Sequence, residues 1–142
     1  MTFANKGKAL LAAAGVAVIA AVVAAIVIEP PEQARKKRLD DRRVHDLWQI
    51  ESVVNEYWKR QQKLPPALNV LQSVGLQAST VDPESNLPYG YTPLSEQSYR
   101  LCANFSFESG NERHRPWPAQ AAEWSHAAGQ YCFERTAGQK PR

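Results

Sequence analysis

From Ala9 to Ile28 the chain runs twenty residues without a charge or a proline and with one glycine, Gly15. No other feature constrains the fold as much, because such a run needs an apolar surrounding along its whole length. At ~1.5 Å rise per residue it makes a helix ~30 Å long, the thickness of a bilayer's hydrocarbon core. A secretory signal is the competing reading, with Lys6 and Lys8 as its basic flank. The run exceeds the ~7–15 residues of a signal core, and Ile26, Val27 and Ile28 follow the last alanine pair, where cleavage would fall. Residues 9–28 are therefore expected to form an uncleaved transmembrane helix behind a short cytoplasmic stub, residues 1–8. Ala13, Ala17, Ala21 and Ala25 recur every fourth position, giving a small-residue face that lets membrane helices approach closely.

The net charge of +3 raises a nucleic-acid reading, which the placement of the charges removes. Arg35, Lys36, Lys37, Arg38, Arg42 and Arg43 crowd into "RKKRLDDRR", and the remainder of the chain is nearly balanced. A basic knot just outside a membrane segment meets lipid headgroups, so Arg35, Lys36, Lys37 and Arg38 are the candidate headgroup contacts, in a juxtamembrane linker over 29–38. Counting positive charges on either side of the anchor would keep the following domain in the cytoplasm. The cysteines point outward. The chain has two, Cys102 and Cys132, in strand-like segments separated by 29 residues, and an even pair in so small a domain suits a disulfide in an oxidising compartment.

Beyond the anchor, "EPPEQA" interrupts the apolar run. Leu39, Val44, Leu47, Ile50, Val54, Tyr57 and Trp58 then recur at intervals of three or four, predicting an amphipathic helix from about Leu39 to Gln62. Asp40 and Asp41 fall in its first turn, and Lys59, Arg60 and Lys63 in its last, as the helix dipole favours. "KLPPALNVL" ends that helix and opens a short one with Leu68, Leu71 and Val74 inward, stopped by Gly75. The period then changes to two. "LPYGYTPL", "SYRLCANFSF" and "GQYCFERT" read as three strands, with Tyr99, Leu101, Ala103 and Phe105 on one face of the second and Cys102 on the other. Asp82, Pro83 and Asn86 supply a turn that launches the first strand, through side-chain acceptance, a fixed φ and tolerance of the left-handed region respectively. The expected class is α+β: a transmembrane helix, then a long amphipathic helix and a short second helix on a small antiparallel sheet. The globular part covers 39–137, with a loose tail over 138–142.

An N-terminal apolar helix followed by an amphipathic helix, then "LPPAL", then an Asp-Pro turn before a Pro-Tyr-x-Tyr strand, resembles the type IV pilin superfamily, and within it the major pseudopilin of type II secretion. The likeness spans roughly 41–105. It implies a helix packed on a small sheet, a bacterial inner-membrane address with the C-terminal domain periplasmic, and a non-enzymatic role as an envelope binding or scaffold subunit with a protein partner. The chain lacks the glutamate that pilins carry near the start of the anchor helix. Its "RKKRLDDRRVHDL", "LCANF", "YCF" and "WSHAAGQ" segments are similar to bacterial membrane-anchored domains without an assigned activity.

Candidate chemistry is sparse. Asp41 and His45, four apart on one helix, would place a carboxylate and an imidazole together, and His126 lies six residues before Cys132. An envelope enzyme or metal protein built on His126 or on Asp41/His45 is the alternative. No CxxC or HxxxH spacing supports a metal, and nothing orients a third member for a Cys–His pair; no cofactor is expected. Asp82, Glu84 and Asn86 alternate like calcium ligands, but the Gly and Glu that complete such a loop are missing, and the stretch reads as a turn. Trp117 and Arg115, in "RHRPWPAQ", are candidate partner contacts, since Trp and Arg dominate interface hot spots.

If Ala9–Ile28 is an uncleaved anchor, the protein stays in the membrane pellet after carbonate washing with its N-terminus at or near Met1. Recovery of a soluble chain beginning after residue 25 would overturn that expectation.

Overall fold

The computed structural model describes residues 30–110 and 121–139. Two compact units divide the chain, residues 1–34 and 35–142. Of the first, only Pro30–Ala34 is among the described residues, as the opening turn of a helix. Ala9–Ile28, with Ala13, Ala17, Ala21 and Ala25, lies outside them, as do Arg115 and Trp117. Among the described residues, no helix is long and apolar enough to cross a membrane.

Helix α1 spans Pro31–Gln61, eight residues longer at its start than the apolar stripe indicates. Residues 31–38, read from sequence as linker, are helical. Two prolines do not break the helix here because Pro31 occupies its first position, where a fixed φ suits the helix and the missing N–H has no intrahelical partner to lose. The carbonyl of Pro30 receives the N–H of Gln33 and of Ala34 at 2.9 and 3.2 Å. The first-turn acid is consequently Glu32, and Asp40 and Asp41 sit well inside the helix. Its end is Gln62 at φ 54, whose amide nitrogen also reaches the carbonyl of Lys59 at 3.2 Å before Pro65 and Pro66 carry the chain away.

Helix α2 spans Asn69–Ser73 and closes on Gly75 at φ 77. The N–H of Leu76 bonds the carbonyl of Leu71 at 2.9 Å and that of Gly75 the carbonyl of Gln72 at 3.1 Å, the paired bonds of a Schellman end. This corrects one inward assignment. Leu68 and Leu71 are buried, but Val74 is exposed, and Leu76, beyond the turn, takes the inward place beside the core.

Three strands follow, β1 Gly90–Pro93, β2 Ser98–Phe105 and β3 Gly129–Thr136, in one antiparallel sheet of order β1-β2-β3. One sheet face carries Tyr99, Leu101, Ala103, Phe105 and Phe133, and these are buried together with Leu47, Ile50, Val54 and Tyr57 of α1. A 3-10 turn at Ala121–Trp124 contributes Trp124, buried against Phe133 at 4.7 Å between rings with the Arg135 guanidinium 4.3 Å from its centroid. The α+β class with a long helix and a small antiparallel sheet is as the sequence indicates. The tail differs at its start: Gly138 N–H donates to Asn55 Oδ1 at 3.0 Å, which ties the end of the sheet to α1.

Ile50 is fully buried on α1, so Ile50→Ala should lower the unfolding free energy by about 2–5 kcal/mol. His45→Ala, at a half-buried position, should cost under about 1 kcal/mol. Equal losses in chemical denaturation would contradict the helix orientation.

Candidate functional site

The most developed cluster of ionisable groups lies where α1 meets the Asp82 turn. Continuing the stripe of Leu47, Ile50 and Val54 backward by helical spacing gives positions 43 and 40, and both are buried although charged. Arg43 directs Nη1 to Asp40 Oδ1 at 2.8 Å and Nη2 to Glu84 Oε2 at 2.8 Å. It grips Asp82 with two further bonds, from Nε to Oδ2 and from Nη2 to Oδ1. Asp82 also accepts the backbone N–H of Glu84 and Ser85 at 2.9 and 2.8 Å, closing the turn in which Asn86 takes φ 57. Asp40 in turn accepts the N–H of Ser106 and Phe107, both at 2.9 Å, where the chain leaves β2. Arg43 and Asp40 together thus join three segments distant in sequence.

The electrostatics follow from these bonds. Burial alone would lower the Arg43 pKa, but hydrogen bonds to Asp82, Glu84 and Asp40 outweigh it and raise it above its ordinary value. Burial pushes Asp82 upward, yet the bonds from Arg43, Ser85 and Glu84 bring it down to about 2. The Arg43 hydrogen bond lowers Glu84 as well. Each of these carboxylates is bonded to the guanidinium, and Asp40 and Asp82 to backbone N–H groups as well, so the network ties separate segments together. One turn along, Asp46 accepts from Tyr89 Oη and from Arg42 Nε, each at 3.0 Å. Burial, followed by the Asp46 charge, raises the Tyr89 phenol beyond its usual range.

Outside this joint, an open groove of about 630 Å³ runs from Arg43 and Leu87 across Gly90 and Cys102 to Gln130. Gly90 is required at its floor, since a Cβ there would stand 2.9 Å from Cys102 Cβ. Cys102 and Cys132 are cross-strand partners joined by a disulfide, on the face away from the core. A Cys132 nucleophile with His126 is therefore not the arrangement in this chain, as the sulfur is bonded. His126 is buried, with its ring stacked on Phe105 at 3.6 Å between centroids. His45 bonds Gln49 at 3.0 Å and lies by Trp48 on α1. These two histidines occupy different elements and do not converge on one pocket. Among the described residues, no three His, Cys, Asp or Glu side chains are grouped to hold a metal ion. Arg35, Lys36, Lys37 and Arg38 occupy consecutive helical positions, which at ~100° per residue encircle α1 rather than facing one side. Arg35 is already paired with Glu84 at 3.1 Å.

Sequence reasoning assigned Asp82 its turn but missed Arg43, Asp40 and Asp46 as buried groups. The available signal was the period of the stripe itself.

Arg43→Met should destabilise by about 3–5 kcal/mol, because it leaves buried carboxylates uncompensated. The pH dependence carries a definite sign. The folded Asp82 pKa, about 2, lies below the ordinary 3.8, so its contribution is full above about pH 4 and is lost as pH falls toward 2. Acid titration of unfolding should show that loss in the natural chain and a smaller one in Asp82→Asn; identical slopes would contradict the assignment.

No protein-family model, curated protein or solved structure matches this chain.

Proposed function

We propose that this chain is a single-pass inner-membrane protein of the bacterial envelope, anchored by residues 9–28. In this reading its pilin-like periplasmic domain acts as a binding or scaffold subunit without catalytic chemistry of its own. The observation that carries the reading is the use of the buried polar groups. Asp40, Arg43, Asp46, Asn55 and Asp82 each bond a segment distant in sequence, so these groups build a rigid body. The cross-strand disulfide supports placement in an oxidising compartment, since structural disulfides are rare in reducing ones. The order of a long helix, an Asp-Pro turn and an antiparallel sheet is consistent with the pilin likeness.

Thiol labelling of the denatured, unreduced protein from its native host tests the address. No reactive thiol is expected, and two per chain would place the domain in the cytoplasm. Affinity capture of the intact membrane form, quantified by mass spectrometry, tests the role: a stoichiometric envelope partner or a second tagged copy is expected. Turnover of a small molecule by the purified protein, lost on substitution of His126 or Asp41, would replace the scaffold reading with the enzymatic one.

A further inference from the structure

The sheet has two edges, and they are built differently. Ala137 N–H donates to Gln97 carbonyl at 2.8 Å, extending the register in which Arg135 faces Tyr99 and Phe133 faces Leu101. Odd-numbered residues of β3 therefore exchange bonds with β2, while Gln130, Cys132, Glu134 and Thr136 turn their N–H and C=O groups away from it. The 4.0 Å between Cα atoms of Cys102 and Cys132 agrees, since non-hydrogen-bonded pairs are the close ones. On β1, Leu94 N–H bonds Ser98 carbonyl at 2.8 Å, so its outward positions are odd-numbered. That edge is short and partly capped: Tyr89 N–H, just before the strand, is taken by Thr80 at 2.9 Å, Pro93 has no N–H, and the strand is four residues long.

Among the described residues, the β3 edge carries none of these protections. It is eight residues long without proline or lysine, and Gln130, Cys132 and Glu134 are exposed. Among the described residues, the one contact to its outer backbone row is a long 3.4 Å approach of Arg135 to the Glu134 carbonyl. Unpaired edges of this length template another strand.

We propose that the outer edge of β3 is an interaction surface whose occupant is β3 of a second copy of this chain, paired antiparallel about Phe133. The proposal deepens the binding role proposed above by naming a partner, and it rests on strand geometry rather than on the anchor. Outward groups must meet outward groups, and this register does so, setting Cys132 opposite Glu134 and Gln130 opposite Thr136. On the other face Arg135, held over Trp124 in its own chain, stands opposite Tyr131. The strand's charges, Glu134 and Arg135, never face their own copies, so the edge is complementary to itself. The disulfide fastens β3 to β2, so the edge is presented already formed and is not free to peel away. One ladder buries far less than the ~1,600 Å² of a standard interface, so association in solution is weak and concentration-dependent.

Residue-resolved amide exchange of the full chain in detergent, from micromolar to millimolar protein, tests this directly. The amides of Cys132, Glu134 and Thr136 should slow roughly ten-fold with concentration, while those of Tyr131, Phe133 and Arg135, already bonded to β2, change little. Gln130→Pro, and separately Glu134→Pro, remove one outward N–H each and leave the β2–β3 ladder; both should abolish the concentration dependence. Concentration-independent exchange at Cys132 and Glu134, or slowing that survives both substitutions, overturns the self-pairing. Association of copies without that slowing also overturns it, and leaves the scaffold role standing.

Discussion

The buried guanidinium of Arg43 is the joint on which the rest of the domain depends. A charge placed that deep needs partners on every side, and it finds them in Asp40, Asp82 and Glu84. Asp40 extends the joint to the backbone after β2, and Asp82 extends it to the turn before β1. The helix, the entry to the sheet and the exit from its central strand thus share one set of hydrogen bonds. Asp46 with Tyr89 and Asn55 with Gly138 repeat the device along α1. The apolar core lies along the same helix face, so the polar ties fix direction and register while burial supplies the driving force.

On the opposite face the sheet is held by different means. The Cys102–Cys132 bond crosses the β2–β3 ladder, and a loop of this size is stabilised by about 3–4 kcal/mol in the chain-entropy model. Gly90 sits opposite Cys102 in the β1–β2 register, where any side chain would collide with it. Glycine, half-cystine and half-cystine therefore form one row across all three strands. Around it the outer face is polar, with Arg100 and Glu134 paired at 2.7 Å. β3 thus has a polar face, a buried face and an outer edge whose backbone row, among the described residues, is approached by Arg135 alone.

Local chemistry made much of this legible. Period-two patterning located the three strands, and Asp82, Pro83 and Asn86 announced their turn, because such signals act over a few residues. Leu47, Ile50, Val54 and Tyr57 were legible as a stripe for the same reason. For the buried charges the stripe's period marks positions 40, 43 and 46 as inward, but their partners have no local signal, since Arg43 is 39 residues from Asp82 and Asp40 is 66 from Ser106. Pro30 and Pro31 read as a break because proline disrupts a helix interior, yet it is favoured at the first helical position, where Pro31 stands; position alone decides. Val74 failed as a core residue because the left-handed Gly75 redirects the chain. His126 and Trp124 sit in a stretch without a clear period, and their burial follows from Phe105 and Phe133, to which no local pattern connects them.

A double-mutant cycle on Arg43→Met and Asp82→Asn, read by chemical denaturation with amide exchange at Ser85, tests most directly whether this cluster is the architectural joint. The account predicts a coupling of about 2 kcal/mol or more between the two sites, with loss of Ser85 protection in each single variant. Additive effects within about 0.5 kcal/mol, with Ser85 protection unchanged, would show that the pair is incidental to the fold and contradict the account.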